Sequence, residues 1–190
     1  MTRRRIRDIR HDEFVAATIR GVHAHGFGRV TMAEIAKEAG SSAASIAYYF
    51  GSKEKLMEAT MRHLLTLLKQ AMLRRYAAAN TARDRLIAVI DANFDDQLFT
   101  PAQCSLWVQF WSNAPYAPSL SRLHSINRAR VQSHVQAEVK HLFPPDKRAA
   151  VTAMLQAYMD GVWLEAAQSN DCNPSQARKD AAALVTLLLQ

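Results

Sequence analysis

The chain has 190 residues, 49% of them hydrophobic, and carries a formal net charge of +7. That is enough apolar material for one large domain, or for a small one fused to a medium one. No stretch approaches the roughly 20 uninterrupted apolar residues of a spanning helix, and no apolar core or cleavage site follows the basic start. Neither a membrane segment nor a secretory leader is therefore expected, and the expected compartment is the cytoplasm.

The positive balance suits an anionic partner such as nucleic acid. Arg3, Arg4, Arg5, Arg7 and Arg10 crowd one terminus against a single acid, Asp8. Such a run is a solvated tail or an arm that follows a DNA backbone, and the two are compatible. Cys104 and Cys172 are too few and too far apart in sequence for a disulfide framework or a zinc cluster. They read as two unpaired, mostly buried thiols.

In chain order, helices are expected almost throughout, because alternating β-branched residues are absent and apolar residues recur at steps of three and four. From Asp12, the series Phe14, Ala17, Ile19, Val22 predicts a first helix, stopped at Gly26-Phe27-Gly28. A second is expected from Thr31 to Glu38, a third from Ser42 to Tyr48, and a long fourth from after Ser52 to Tyr76. Later helices are expected at about 81–98, 101–113, 118–142, 146–169 and 174–189, separated by Asn80-Thr81 and by prolines. The fold class is all-α: a three-helix unit over residues 1–52, joined through the fourth helix to a helical domain over 53–190.

The most specific stretch is TMAEIAKEAGSSAASIAYYFGSKEKL, from Thr31 to Leu56. Thr31 and Glu34 have the spacing of a capping box, in which hydroxyl and carboxylate satisfy orphan N–H groups at a helix start. Gly40 stands where the chain must leave that helix, a position that favours positive φ. A second short helix restarts at Ser41 or Ser42. Two short helices joined by a tight Gly-containing turn make a helix-turn-helix, whose second helix enters the major groove.

Ala36, Ala39-Gly40, Ser42, Tyr49-Phe50 and Ser52 to Leu56 resemble the DNA-binding signature of the TetR family of regulators, over about the first 60 residues. That resemblance implies an all-helical homodimer that binds a palindromic operator in double-stranded DNA and is released by a small-molecule inducer. It implies that Thr31 and Lys53 contact phosphates, and that Ser42, Ala43, Ala44 and Ser45 lie nearest the base edges. Tyr48 and Tyr49 would face the DNA. Thr31 as a cap alone, and Tyr49 as mainly core, are the rival readings. Ala47 stands where the family has an aromatic, and Ser41 where it has an apolar residue. Ala43 and Ala44 offer no long side chain for bidentate base pairing, so readout would rest on Ser45, Tyr48, methyl contacts and DNA shape.

Further along, Leu56 to Arg62, Asn93-Phe94-Asp95, the stretch LWVQFW from Leu106 to Trp111, and Asp160 to Leu164 resemble the BetI-type branch, choline-responsive repressors of glycine betaine synthesis genes. Trp107 and Trp111 lie at i and i+4 on one helix, with Phe110 between them. A quaternary ammonium donates no hydrogen bond, so proteins hold it with aromatic faces and a nearby carboxylate. Phe94, Trp107, Phe110, Trp111 and Trp163 are the candidate faces, and Asp91, Asp95, Asp160 or Glu165 the candidate charge, with choline or betaine aldehyde as inducer. Aromatics at helical spacing also serve as plain core, and Asp160 as a structural ion pair with an arginine. The last two helices suit a dimeric four-helix bundle or packing within the subunit.

No HExxH, GxSxG, CxxC or phosphate-cradling Gly-rich loop is present, so neither an enzyme nor a cofactor or metal site is expected. Two alternatives remain at this stage: a TetR-type regulator of multidrug efflux or of another pathway, and an architectural DNA-binding protein.

Overall fold

A computed structural model describes residues 6–190, so Arg3, Arg4 and Arg5 of the basic run lie outside the described residues. The head consists of α1 (Ile6–His25), α2 (Met32–Glu38) and α3 (Ala43–Phe50). Then come α4 (Lys53–Ala77), α5 (Ala82–Asp91), α6 (Pro101–Asn113), α7 (Pro118–Leu142), α8 (Pro145–Ser169) and α9 (Pro174–Leu188), with single 3₁₀ turns at Ala92–Phe94 and Ala114–Tyr116. No strand forms among the described residues.

Local chemistry explains most of the boundaries. Thr31, Ser42, Ser52, Thr81, Thr100 and Asn173 each cap the helix that follows by accepting a backbone N–H from three residues on. Pro101, Pro118, Pro145 and Pro174 occupy first-turn positions, where a missing N–H costs nothing. Gly40 exits α2 at φ 59°, a backbone conformation that strains any residue with a side chain.

Two boundaries depart from the sequence reading. α1 is already helical at Ile6, ahead of the expected Asp12. Its first turns are solvated all round, with Ile6 and Ile9 both exposed, so no apolar pattern marks them. α5 ends at Asp91 instead of running on to about 98. The chain turns there because the Asp95 carbonyl accepts the Leu98 and Phe99 amides, while its carboxylate accepts the Gln97 amide and pairs with Arg74 and Arg75 of α4. The turn buries Phe94, Leu98 and Phe99, which a continuous helix would spread around its circumference.

A single hydrophobic core runs from Phe14, Ile35 and Ile46 in the head, along Leu56, Met61, Leu64 and Leu68 of α4, to Trp107, Leu155 and Trp163 in the body. α1 packs on α2, α4 and α6, so the head meets the body through α6 as well as through α4. Deep in the body, the buried Glu138 accepts from Tyr76 Oη and from Arg85 Nε, which clamps α7 to α4 and α5.

Candidate nucleic-acid interface and ligand cavity

The exposed edge of the head is built around the start of α3. Ser42, Ala43 and Ala44 are solvent-facing, Ser45 is half-buried, and the Ser42 hydroxyl is used as the cap for Ser45 N–H at 3.1 Å. Tyr48 is 84% exposed and stands edge-on to Tyr49, at a ring separation of 5.5 Å. Tyr49 is half-buried and packs edge-on against Phe14, so the same side chain closes the core and borders the surface.

Thr31 forms the full capping box with Glu34: its hydroxyl accepts from Glu34 N–H and donates to the Glu34 carboxylate, which also accepts Thr31 N–H. These hydrogen bonds hold the Glu34 carboxyl below its ordinary range. Lys53 Nζ donates to the Gly28 carbonyl at 3.0 Å, which ties the start of α4 to the turn after α1. Both groups implied as phosphate contacts are thus engaged within the chain, at an exposed edge where a phosphate can compete for them.

In the body, Trp107 is the hub of an aromatic cluster. Its ring lies 6.2 Å from Trp111, 5.8 Å from Trp163 and 5.7 Å from Phe110. Phe99 stands edge-on to Trp163, and Phe94 behind Phe99. Trp107, Trp111, Trp163 and Asp160 line a small cavity, together with His124, Arg128 and Gln156. Phe94 and Phe110 do not line it; they are fully buried in the layer behind.

Of the four candidate carboxylates, only Asp160 borders this cavity. Asp95 is held by Arg74 and Arg75, Asp91 faces Arg75, and Glu165 is solvated. Asp160 also accepts from Arg128 at 3.0 Å and from Gln156 Nε2 at 2.8 Å. The ion-pair reading of Asp160 and the cavity reading therefore hold together.

Three side-chain atoms of the cavity wall, Trp107 Nε1, His124 Nδ1 and Gln156 Oε1, are buried without a hydrogen-bond partner. Leaving such groups unpaired costs about 1–3 kcal/mol each. Burial, and next the Arg128 guanidinium, push the His124 pKa down, so this ring is kept neutral beside the cavity. The cavity measures about 30 Å³, room for a water molecule and not for a larger ligand.

Sequence patterns gave no sign of His124, Arg128 or Gln156, which lie on helices remote in sequence from the tryptophans. Nor did they mark Gln109. This residue lies on α6 between Trp107 and Trp111, and its Oε1 accepts the Phe27 N–H of the turn after α1 at 2.6 Å. It is a direct polar link from the aromatic cluster to the head.

The family described as bacterial regulatory proteins of the tetR type matches residues 14–60, and the BetI-type transcriptional repressor C-terminal family matches residues 82–190. The HTH-type transcriptional regulator BetI of Burkholderia thailandensis is 39% identical over 163 residues, spanning 85% of this chain and 84% of that one. A TetR transcription regulator of Haloarcula marismortui shares the fold at a TM-score of 0.79 and 24% identity, covering 95% of this chain and 98% of the other. A chain described as a transcriptional regulator of Saccharomonospora viridis, solved in complex with choline, aligns at a TM-score of 0.77 and 20% identity over 93% of this chain and 95% of that one.

Proposed function

The chain belongs to the TetR family of bacterial regulators and carries a BetI-type repressor C-terminal domain, and from that premise we propose that it represses transcription from the cytoplasm as a homodimer until choline or betaine aldehyde releases it from a palindromic operator. The observation that carries the ligand reading is the cavity wall itself. Aromatic faces and the Asp160 carboxylate surround unpaired polar atoms, among them Trp107 Nε1 on a residue only 3% exposed. The faces and the carboxylate suit a quaternary ammonium. The unpaired N–H suits the one acceptor such a ligand offers, its hydroxyl or carbonyl oxygen.

The DNA-facing residues in this reading are Thr31, Ser42, Ala43, Ala44, Ser45, Tyr48, Tyr49 and Lys53. Trp107, Trp111, Trp163 and Asp160 contact the ligand, and Phe94 and Phe110 brace them from behind. Dimerisation through α8 and α9 is supported by an exposed stripe on α8, in which Met154, Ala157, Gly161 and Leu164 lie at steps of three and four, and by the exposed Leu187 of α9. Small residues within such a stripe allow two helices to approach closely.

For release, the ammonium takes the place of Arg128 at Asp160 and expands the cavity against α6. Gln109 carries that shift to Phe27 and the head. The ligand must bind the non-DNA form more tightly, and operator DNA must weaken ligand binding by the same factor.

Calorimetry with choline, betaine aldehyde and tetramethylammonium, on the wild type and on Trp107→Phe, tests the reading. The wild type is expected to bind choline more tightly than tetramethylammonium, and Trp107→Phe, which keeps the ring and removes the N–H, to lose that preference. No binding of any of the three at millimolar concentration overturns the ammonium assignment and leaves the repressor assignment standing.

A further inference from the structure

Beside the aromatic cavity lies a much larger one of about 640 Å³, between α4 and α7 and floored by the end of α5. The two share Leu68, Asn93, Asn127 and Val131 in their walls. The larger space exceeds what a choline-sized molecule fills, and falls in the range of pockets that hold drug-sized ligands. Met72, Val89, Ala92 and Val131 make its interior apolar.

Its charge has one sign. Lys69, Arg130 and His134 line it, and no carboxylate does. Among the described residues, neither the Lys69 ammonium nor the Arg130 guanidinium has an ion-pair or hydrogen-bond partner; both are solvent-exposed residues at the rim of the cavity, open to an incoming anion. Tyr76 lines one end, but its hydroxyl is committed to Glu138 and adds no free donor. A wholly apolar occupant would leave both cations unused, and a small polar anion would leave the apolar walls wet.

We propose that this cavity is a second effector site for an amphipathic carboxylate, an anion with an unbranched apolar chain. The chain lies along Met72, Val89 and Val131, and the carboxylate is taken by Lys69 and Arg130. This site stands apart from the ammonium reading, since neither Asp160 nor any tryptophan lines it.

The test is calorimetry on the full chain with octanoate, decanoate and dodecanoate, with 1-decanol and methyl decanoate as uncharged controls, all below micelle-forming concentration. Affinity is expected to rise about fourfold per added methylene, the value for transfer of a CH₂ from water. Decanoate should bind at least tenfold more tightly than either control. The double variant K69A/R130A should bind decanoate no better than decanol and keep its response to choline if the wild type has one. Met72→Trp, which fills the cavity, should abolish decanoate binding while helix content and melting temperature are retained. Equal affinity for decanoate and the controls, no binding of any carboxylate, or decanoate binding undiminished in a folded Met72→Trp variant each overturns the proposal. None of these results bears on choline binding, so the two readings fail separately.

Discussion

The head and the body satisfy their polar groups differently. In the head, Thr31, Ser42 and Ser52 close the helix starts with hydrogen bonds three residues long, and the groups implied in DNA contact sit exposed or half-buried on that framework. In the body, buried atoms of Arg75, Asp91, Gln103, Trp107, His124 and Gln156 have no partner, and among the described residues the head contains no such atom. Unpaired buried groups are rare in native proteins and usually have a functional reason. A surface that reads DNA needs to be rigid and complete beforehand. Three of the six atoms in the body, on Trp107, His124 and Gln156, line the small cavity, where a water or a ligand can supply the missing partner.

Substitutions can break or sharpen that contrast. The largest effect is expected at Asp91, whose carboxyl is pushed up to about 6 by burial against the pull of Arg75 and Arg178. The folded chain thus keeps this proton to about pH 6, while the unfolded chain loses it near 3.9. Between these values the folded state binds more protons, so this group's contribution to stability falls as pH rises through the window and is flat above it. At pH 7 the charged Asp91 costs up to about 3 kcal/mol. Urea titrations should find Asp91→Asn more stable at pH 7 by about 1–3 kcal/mol, with less pH dependence between 4 and 6 than the wild type. A less stable variant would mean that Arg75 outweighs burial and that this group is not left unfinished.

Asp160→Asn removes the charge that Arg128 and the proposed ligand compete for. The ammonium donates no hydrogen bond, so its attraction to the carboxylate is Coulombic, about 1–4 kcal/mol at about 4 Å between bulk water and a protein-surface dielectric. Choline affinity measured by calorimetry should therefore fall about fivefold or more. Operator affinity without ligand should not change. If choline affinity holds, the aromatic faces alone carry binding and Asp160 is only structural.

In the head, Tyr48→Ala should leave stability within about 0.5 kcal/mol, because the side chain is solvated. Operator affinity by gel shift should fall about tenfold, within the usual range for an exposed aromatic anchor. An unchanged gel shift would remove Tyr48 from the interface. The smallest effect is expected for Thr31→Ala, about 1 kcal/mol of stability for a lost cap. Operator affinity by gel shift at fixed salt decides if the hydroxyl leaves Glu34 for a phosphate: loss of a phosphate contact weakens binding to every operator sequence alike, and loss of a cap alone leaves it unchanged.

The amino-acid sequence determined the all-helical class, the helix-turn-helix with its Thr31–Glu34 box and Gly40 exit, and most helix starts. These features depend on hydrogen bonds and backbone preferences that act within three or four residues, so a linear pattern records them. The first turns of α1 escaped because they bury nothing, and the early end of α5 because Arg74 and Arg75 reach Asp95 from 20 residues away or more. Only the tertiary structure decided which carboxylate meets the tryptophans, that Phe94 and Phe110 stand behind the cavity wall, and that Gln109 joins α6 to the head. It also brought Cys104 and Cys172, 68 residues apart, to a sulfur separation of 3.6 Å. Each of these depends on how helices distant in sequence pack around a shared core, where side-chain volume and burial, not periodicity, select the neighbours.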